Sequence, residues 1–115
     1  MALDSHMATL NPEPARIFGA LADPTRLAVI ERLARGPASV SELSRPFGMA
    51  GPSFLKHLRV LESAGLIRTD KRGRVRTARL QADALRWVEE WVALHRREWE
   101  QRLDDLAKFL KRVDN

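Results

Sequence analysis

The apolar positions of this chain follow a helical period almost throughout and change to a strand period once. From Gly51 to Leu66 the sequence reads Gly-Pro-Ser-Phe-Leu-Lys-His-Leu-Arg-Val-Leu-Glu-Ser-Ala-Gly-Leu. At about 100° per residue, Phe54, Leu58 and Leu61 gather on one side, with His57 at the flank. Pro52, Leu55, Lys56, Arg59 and Ser63 gather on the other. Pro52 suits a first helical turn, where its missing N–H is not needed. Gly65 suits the position after a C-cap, where φ is often positive. The pattern predicts one helix with an apolar back and a basic front.

Upstream, Ala15 to Ala22 predicts a short helix with Ile17, Phe18 and Leu21 inward. Asp23-Pro24 restarts the chain as an N-cap followed by Pro at N1. The helix that follows runs to about Arg35, with Leu27, Ile30, Leu33 and Ala34 as its buried stripe, Val29 at the edge, and Gly36-Pro37 as the stop. Ser39 and Glu42 have capping-box spacing and open a third helix through about Phe47. Its inward positions are Val40, Leu43 and Phe47, and Pro46 keeps it short. Gly48-Met49-Ala50 is then a tight connection. A short helix, a turn with Gly and a longer helix make the helix-turn-helix pattern.

Downstream the period becomes extended. Leu66 to Thr69 and Val75 to Leu80 predict two strands, joined by a turn at Asp70-Lys71-Arg72-Gly73. Arg68, Lys71, Arg72, Arg74, Arg76 and Arg79 make this hairpin strongly basic, and a two-stranded hairpin must lean on the helices. Asp83 is expected to cap a last helix from about Ala84 to Lys111, about 42 Å long. Val88, Trp91, Val92, His95, Trp99, Leu103, Leu106, Leu110 and Val113 recur along it at spacings of three and four. That stripe outruns the preceding core, so part of it is expected to pack on a second copy.

The fold class is therefore mainly α with a small β-hairpin. Residues 1–14 are expected to be a cloning remnant and flexible lead-in, 15–82 the winged helix-turn-helix and 83–115 a C-terminal dimerisation helix of the same compact domain. Met1 to Met7 reads as vector-derived, with the natural start at Met7, so His6 is discounted as a ligand.

Composition narrows the function. The chain has 115 residues, 44% apolar and 30% charged, with a net charge of +5. A cationic surplus favours a polyanionic partner. The absence of Cys excludes disulfides, thiolate metal sites and a Cys nucleophile, and it fits a cytoplasmic location. No apolar run approaches the roughly 20 residues of a membrane span, so no membrane partner is expected. No carboxylate pair at fixed spacing from a His, no Gly-rich phosphate loop and no nucleophile motif is present. The chain is accordingly not read as an enzyme, and no catalytic residue, metal or cofactor is expected.

Taken in order, these residues resemble the ArsR-type winged helix-turn-helix transcriptional regulators. The resemblance runs from Phe18 to about Leu80 and extends more loosely over the last helix. It is carried by Ala20-Leu21-Ala22-Asp23-Pro24-Thr25-Arg26-Leu27, by Val40-Ser41-Glu42-Leu43, by Lys56 to Ile67, and by Gly73-Arg74. It implies a homodimer paired through its terminal helices, binding an imperfect inverted repeat in double-stranded DNA, usually as a repressor. Many members sense metals through Cys on the helix before the turn, and here Ser39 to Ser44 contains none. His95 with Glu98 is the remaining metal candidate, and a packed interface His is the preferred reading.

The expected DNA-binding set is Ser41, Ser44, Gly51, Pro52, Ser53, Leu55, Lys56 and Arg59, with Arg72, Arg74 and Arg76 in the wing. Lys56 has the reach for a guanine edge or a phosphate, Arg59 for the backbone, and Leu55 for a thymine methyl. Ser41 and Ser44 are expected near the start of their helix as phosphate donors, unless one is simply a cap. His57 is read as a structural hydrogen bond. The expected dimer interface is Phe18, Val88, Trp91, Val92, His95, Trp99, Leu103 and Leu106. An unidentified small-molecule effector would be sought beside Trp91, His95, Trp99 and Phe18. The rival reading is a winged-helix protein–protein interaction module with no specific DNA site.

Overall fold

A computed structural model describes residues 14–114; the expected vector-derived stretch and most of the lead-in lie outside them. The element order is α1 (Pro14–Leu21), α2 (Pro24–Leu33), β1 (Ala38–Ser39), α3 (Val40–Ser44), a 3₁₀ turn (Arg45–Phe47), α4 (Gly51–Ser63), β2 (Ile67–Arg72), β3 (Val75–Leu80) and α5 (Ala82–Asp114). These form two compact units, one ending at Leu85 and one beginning at Arg86.

In the first unit each helix back meets a common core. Ile17 and Ala20 of α1, Val29, Ile30 and Leu33 of α2, and Phe54, Leu58 and Leu61 of α4 are all buried. Leu43, Leu66, Ile67 and Ala78 complete it from α3 and the sheet. The expected face of α4 is the observed one. The stripe of α2 is observed in part: Ile30 and Leu33 are buried as expected, but Leu27 is 43% exposed and Ala34 is exposed, whereas Val29, expected at the edge, is fully buried. The inward positions are Arg26, Val29, Ile30 and Leu33, spaced i, i+3, i+4, i+7, and the first of them is polar.

The caps follow the local sequence. Asp23 Oδ2 accepts the Arg26 N–H at 3.0 Å and opens α2. Ser39 and Glu42 form the reciprocal capping box of α3. The third helix becomes a 3₁₀ turn after Ser44, since Pro46 cannot donate to a fourth preceding carbonyl. Helix α5 begins at Ala82, so Asp83 sits inside its first turn, where its charge suits the helix dipole, rather than at the cap.

The sheet has three antiparallel strands in the order β1-β3-β2, not two. The added strand is only Ala38–Ser39, pairing with Ala78 and Thr77. Two residues are too few to show a period of two. Strand β2 runs on to Arg72, which pairs with Val75, so the turn is Gly73-Arg74 rather than residues 70–73. Gly73 has φ +60° and Arg74 does not enter the positive region, the pattern of a type II′ hairpin turn. The run of charges reads as a loop, yet both faces of the wing are solvated there, so polarity does not interrupt the ladder.

The end of α4 shows how helix and wing are joined. Gly65 has φ +77°. Its N–H donates to the Glu62 carbonyl at 3.0 Å, and the Leu66 N–H donates to the Leu61 carbonyl at 3.0 Å. This is a Schellman motif, with the buried Leu61 and Leu66 as its apolar contact. A Cβ at Gly65 would meet no atom within 4 Å, so the cost of a side chain there is conformational. Gly65→Ala is therefore expected to destabilise the fold by about 1–2 kcal/mol. Gly65→Asn should recover part of that loss, with urea midpoints as the measurement.

Candidate nucleic-acid interface

The front of α4 is open. Gly51, Pro52, Ser53, Leu55, Lys56 and Arg59 are all exposed. Ala50 occupies the N-cap position and has no side chain to cap with. The first bond of the helix is Phe54 N–H to the Ala50 carbonyl at 3.1 Å. The N–H groups of Gly51 and Ser53 thus precede the helical ladder, and Pro52 has none. An uncapped N-terminus with Lys56 one turn along and Arg59 beyond it is an electropositive edge suited to an anion.

The back of α4 is fixed by polar bonds as well as by the core. His57 Nδ1 accepts from Arg26 Nη1 at 3.2 Å and lies 3.7 Å from Asp23 Oδ2. The same arginine donates through Nε to the Ala20 carbonyl at 2.7 Å and through Nη2 to the Gly19 carbonyl at 3.4 Å. The structural role expected for His57 is the observed one. At the first turn of α4, the Phe47 ring stacks on the buried Phe54 with centroids 5.7 Å apart.

The wing is pinned along both edges. Ser39 of β1 pairs with β3 and caps α3. On the other edge, Glu62 Oε2 accepts the Thr69 N–H at 3.2 Å and the Thr69 hydroxyl at 3.1 Å. These contacts set the wing beside α4 and leave a cleft of about 470 Å³ between them. Ser41, Leu55, Arg74 and Arg76 line it together with Lys71. A smaller hollow of about 120 Å³ joins Leu55, Arg59 and Arg76. Leu55 thus faces the wing flank of α4 instead of the centre of its front.

Not every expected residue joins this cleft. Arg72 lines another concavity with Asp70, Lys71, Thr77 and Arg79, Lys71 bordering both. Ser44 lies at the end of α3, not near its start, and its hydroxyl donates to the Ser41 carbonyl at 3.0 Å. Lys71, which is not in the expected set, also lines the cleft, and a turn at Gly73-Arg74 makes it a strand position. It sits directly opposite Arg76, and Arg68 directly opposite Arg79. Like charges at such positions repel. Asp70 Oδ2, 3.7 Å from Arg79 Nε, offsets the second pair.

The second unit is described by itself. Val92, Trp99, Leu103 and Leu106 of α5 are exposed, as are Phe109, Leu110 and Val113. Val88, Trp91 and His95 are half-buried, and so is Phe18 in α1. The Trp91 and His95 rings lie 4.1 Å apart, and His95 Nδ1 is 3.3 Å from Glu98 Oε2. Among the described residues no three His, Cys, Asp or Glu side chains cluster as metal ligands would.

A helix-turn-helix domain family matches residues 21–70. The chain is 48% identical over 54 residues to the HTH-type transcriptional regulator Rv2034 of Mycobacterium tuberculosis, covering 47% of this chain and 50% of that protein. It thus spans about half the length of the curated relatives it matches. Among solved structures, an ArsR family transcriptional regulator, RHA00566, is 56% identical, with a TM-score of 0.70 over 74% of this chain and 88% of the other. The homodimeric winged helix-turn-helix DNA-binding domain Mb0332 of Mycobacterium bovis is 26% identical, with a TM-score of 0.62 over 85% and 91%.

Two carboxylates give this region an acid limit. The Arg26 N–H, and less strongly the Arg26 charge, hold Asp23 below the usual carboxylate range against the opposing effect of burial. The Ser39 hydroxyl, then the Ser39 N–H, does the same for Glu42. A carboxylate whose folded pKa is depressed stabilises the fold above its unfolded value, about 4. That contribution is lost as pH falls through the lower, folded value. Urea midpoints are therefore expected to hold steady near neutrality and to drop below about pH 4. Asp23→Asn, which keeps a capping oxygen, should make that drop shallower.

Proposed function

The chain belongs to the ArsR family of winged helix-turn-helix transcriptional regulators, and from that premise we propose that it is a homodimeric repressor of an imperfect inverted repeat. The observation that carries the reading is the convergence of α3, α4 and the wing on one cationic face. Residues 15–82 form its DNA-binding part, and α5 beyond them is its dimerisation helix.

Two α4 helices of a dimer enter successive major grooves about one helical turn, 34–36 Å, apart. The uncapped start of α4, with Gly51, Pro52 and Ser53, closes on a phosphate, and Ser41 supports it from α3. Lys56 reaches a guanine edge or a phosphate, and Arg59 reaches the backbone. The front of α4 offers few groups that read bases by hydrogen bonds, so shape and phosphate geometry carry much of the recognition. Arg74 and Arg76, with Lys71, meet phosphates from the wing side. The mutual repulsion of Lys71 and Arg76 is relieved when an anion lies between them. Arg72, on the other wing face, reaches a neighbouring strand.

The exposed stripe of α5 supports the dimer. Val92, Trp99, Leu106 and Val113 stand seven residues apart, with Leu103 and Leu110 between them, and the Mycobacterium bovis domain is homodimeric. Such a stripe costs less when covered by its own copy. A DNA-binding role in transcription places the protein in the cytoplasm, with no catalytic step.

Selection of bound sequences from a random duplex library at about 150 mM salt tests this, since non-specific phosphate binding fades as salt rises. An enriched inverted repeat is expected; no enrichment points to the rival reading, in which the basic face meets an acidic protein. On the selected duplex, Lys56→Ala should cost about 1–3 kcal/mol of affinity. Arg74→Ala should reduce the salt slope by about one. Two folded variants that bind as the parent does would overturn the assigned face.

A further inference from the structure

We propose that a groove on the far side of the helix-turn-helix, between α2 and the α3–3₁₀ segment, is an effector site for an amphipathic monocarboxylate. The groove encloses about 400 Å³, within the range of sites for small molecules. Its floor is apolar: Val29, Leu43, Pro46 and Phe47. Its rim is charged: Arg32, Arg35 and Glu42. No part of it belongs to the cationic face described above.

The charges choose the ligand. Arg32 is held in place by donation from Nη1 to the Gly36 carbonyl at 3.1 Å. Its other terminal nitrogen is 3.9 Å from Glu42 Oε2, a loose pair that leaves room for a closer acceptor. Arg35 is exposed, and its guanidinium has no acceptor among the described residues. A planar carboxylate fits such a guanidinium by two parallel bonds. Glu42 on the same rim disfavours a doubly charged group, so a carboxylate suits the site better than a phosphate monoester. The apolar floor requires an aromatic or acyl body behind that carboxylate.

The site connects mechanically to α4. Phe47 is part of the apolar floor, and its ring stacks on Phe54. Phe54 is 1% exposed and belongs to the first turn of α4. A body seated against Pro46 and Phe47 shifts this ring pair and tilts the start of α4. Only this consequence rests on the DNA-binding reading; the site itself does not.

Sodium 2-naphthoate, titrated into the ¹⁵N-labelled full chain, is the test. Saturable shifts are expected at the amides of Val29, Leu43 and Phe47. Arg35→Ala should weaken binding about tenfold, as should replacing the probe by neutral 2-naphthamide. Ala28 also lines the groove, and Ala28→Trp, which fills it, should abolish the shifts. In saturating 2-naphthoate, affinity for the selected duplex should fall several-fold. Shifts absent from these amides, undiminished binding by Arg35→Ala, or a saturated protein that holds its duplex unchanged would each overturn the proposal. Duplex binding by the ligand-free chain reports separately on the DNA-binding reading. Arg35 is exposed, so its variant remains informative if Ala28→Trp does not fold.

Discussion

Arg26 bonds three parts of the first unit at once. Its guanidinium donates to two carbonyls at the end of α1 and to His57 of α4, while its own N–H is bound by Asp23. The carbonyls at a helix end have no partner within the helix. A cation there satisfies them and suits the helix dipole. The same group then sets the rotation of α4, because His57 is fixed on its flank. Apolar burial alone would tolerate some sliding of α4 over the core. A directed hydrogen bond does not, and the front of α4 is aimed by what holds its back.

This arginine also explains where the sequence misleads. A reader of apolar periodicity passes over Arg26 and takes Leu27 as the first inward residue of α2. The true stripe starts one residue earlier, so Val29 and not Leu27 is buried. The long-range partner that makes Arg26 an inward residue, His57, is 31 positions away. No local rule points to it. Capping residues and the Schellman glycine, by contrast, act within one turn, and they were legible at Asp23, Ser39 with Glu42, and Gly65. The front and back of α4 were legible because a long amphipathic helix averages over many positions.

The cleft was half legible for the same reason. Ser41, Leu55, Arg74 and Arg76 share a surface only once the wing is set beside α4, and that setting depends on Glu62 and Thr69. Nothing in either segment alone announces the pairing. Strand β1 was beyond reach, since two residues carry no period, yet it makes β3 the central strand. With β1 on one edge and Glu62 on the other, the hairpin is held where an isolated one would be marginal. Its repelling cations are tolerated on that support.

The two-residue tip of the wing has a consequence for how such a protein can change over generations. In a ladder with period two, the parity of a residue decides its face. Lys71 and Arg76, paired directly, share one face, and Arg68, Arg72 and Arg79 share the other. Substitution alters these charges one by one and leaves the rest in place. Insertion or deletion of a single residue within a strand instead sends every charge beyond it to the opposite side. Variation in this wing is therefore gradual in chemistry but quantised in length, and lineages that lengthen it should do so by pairs.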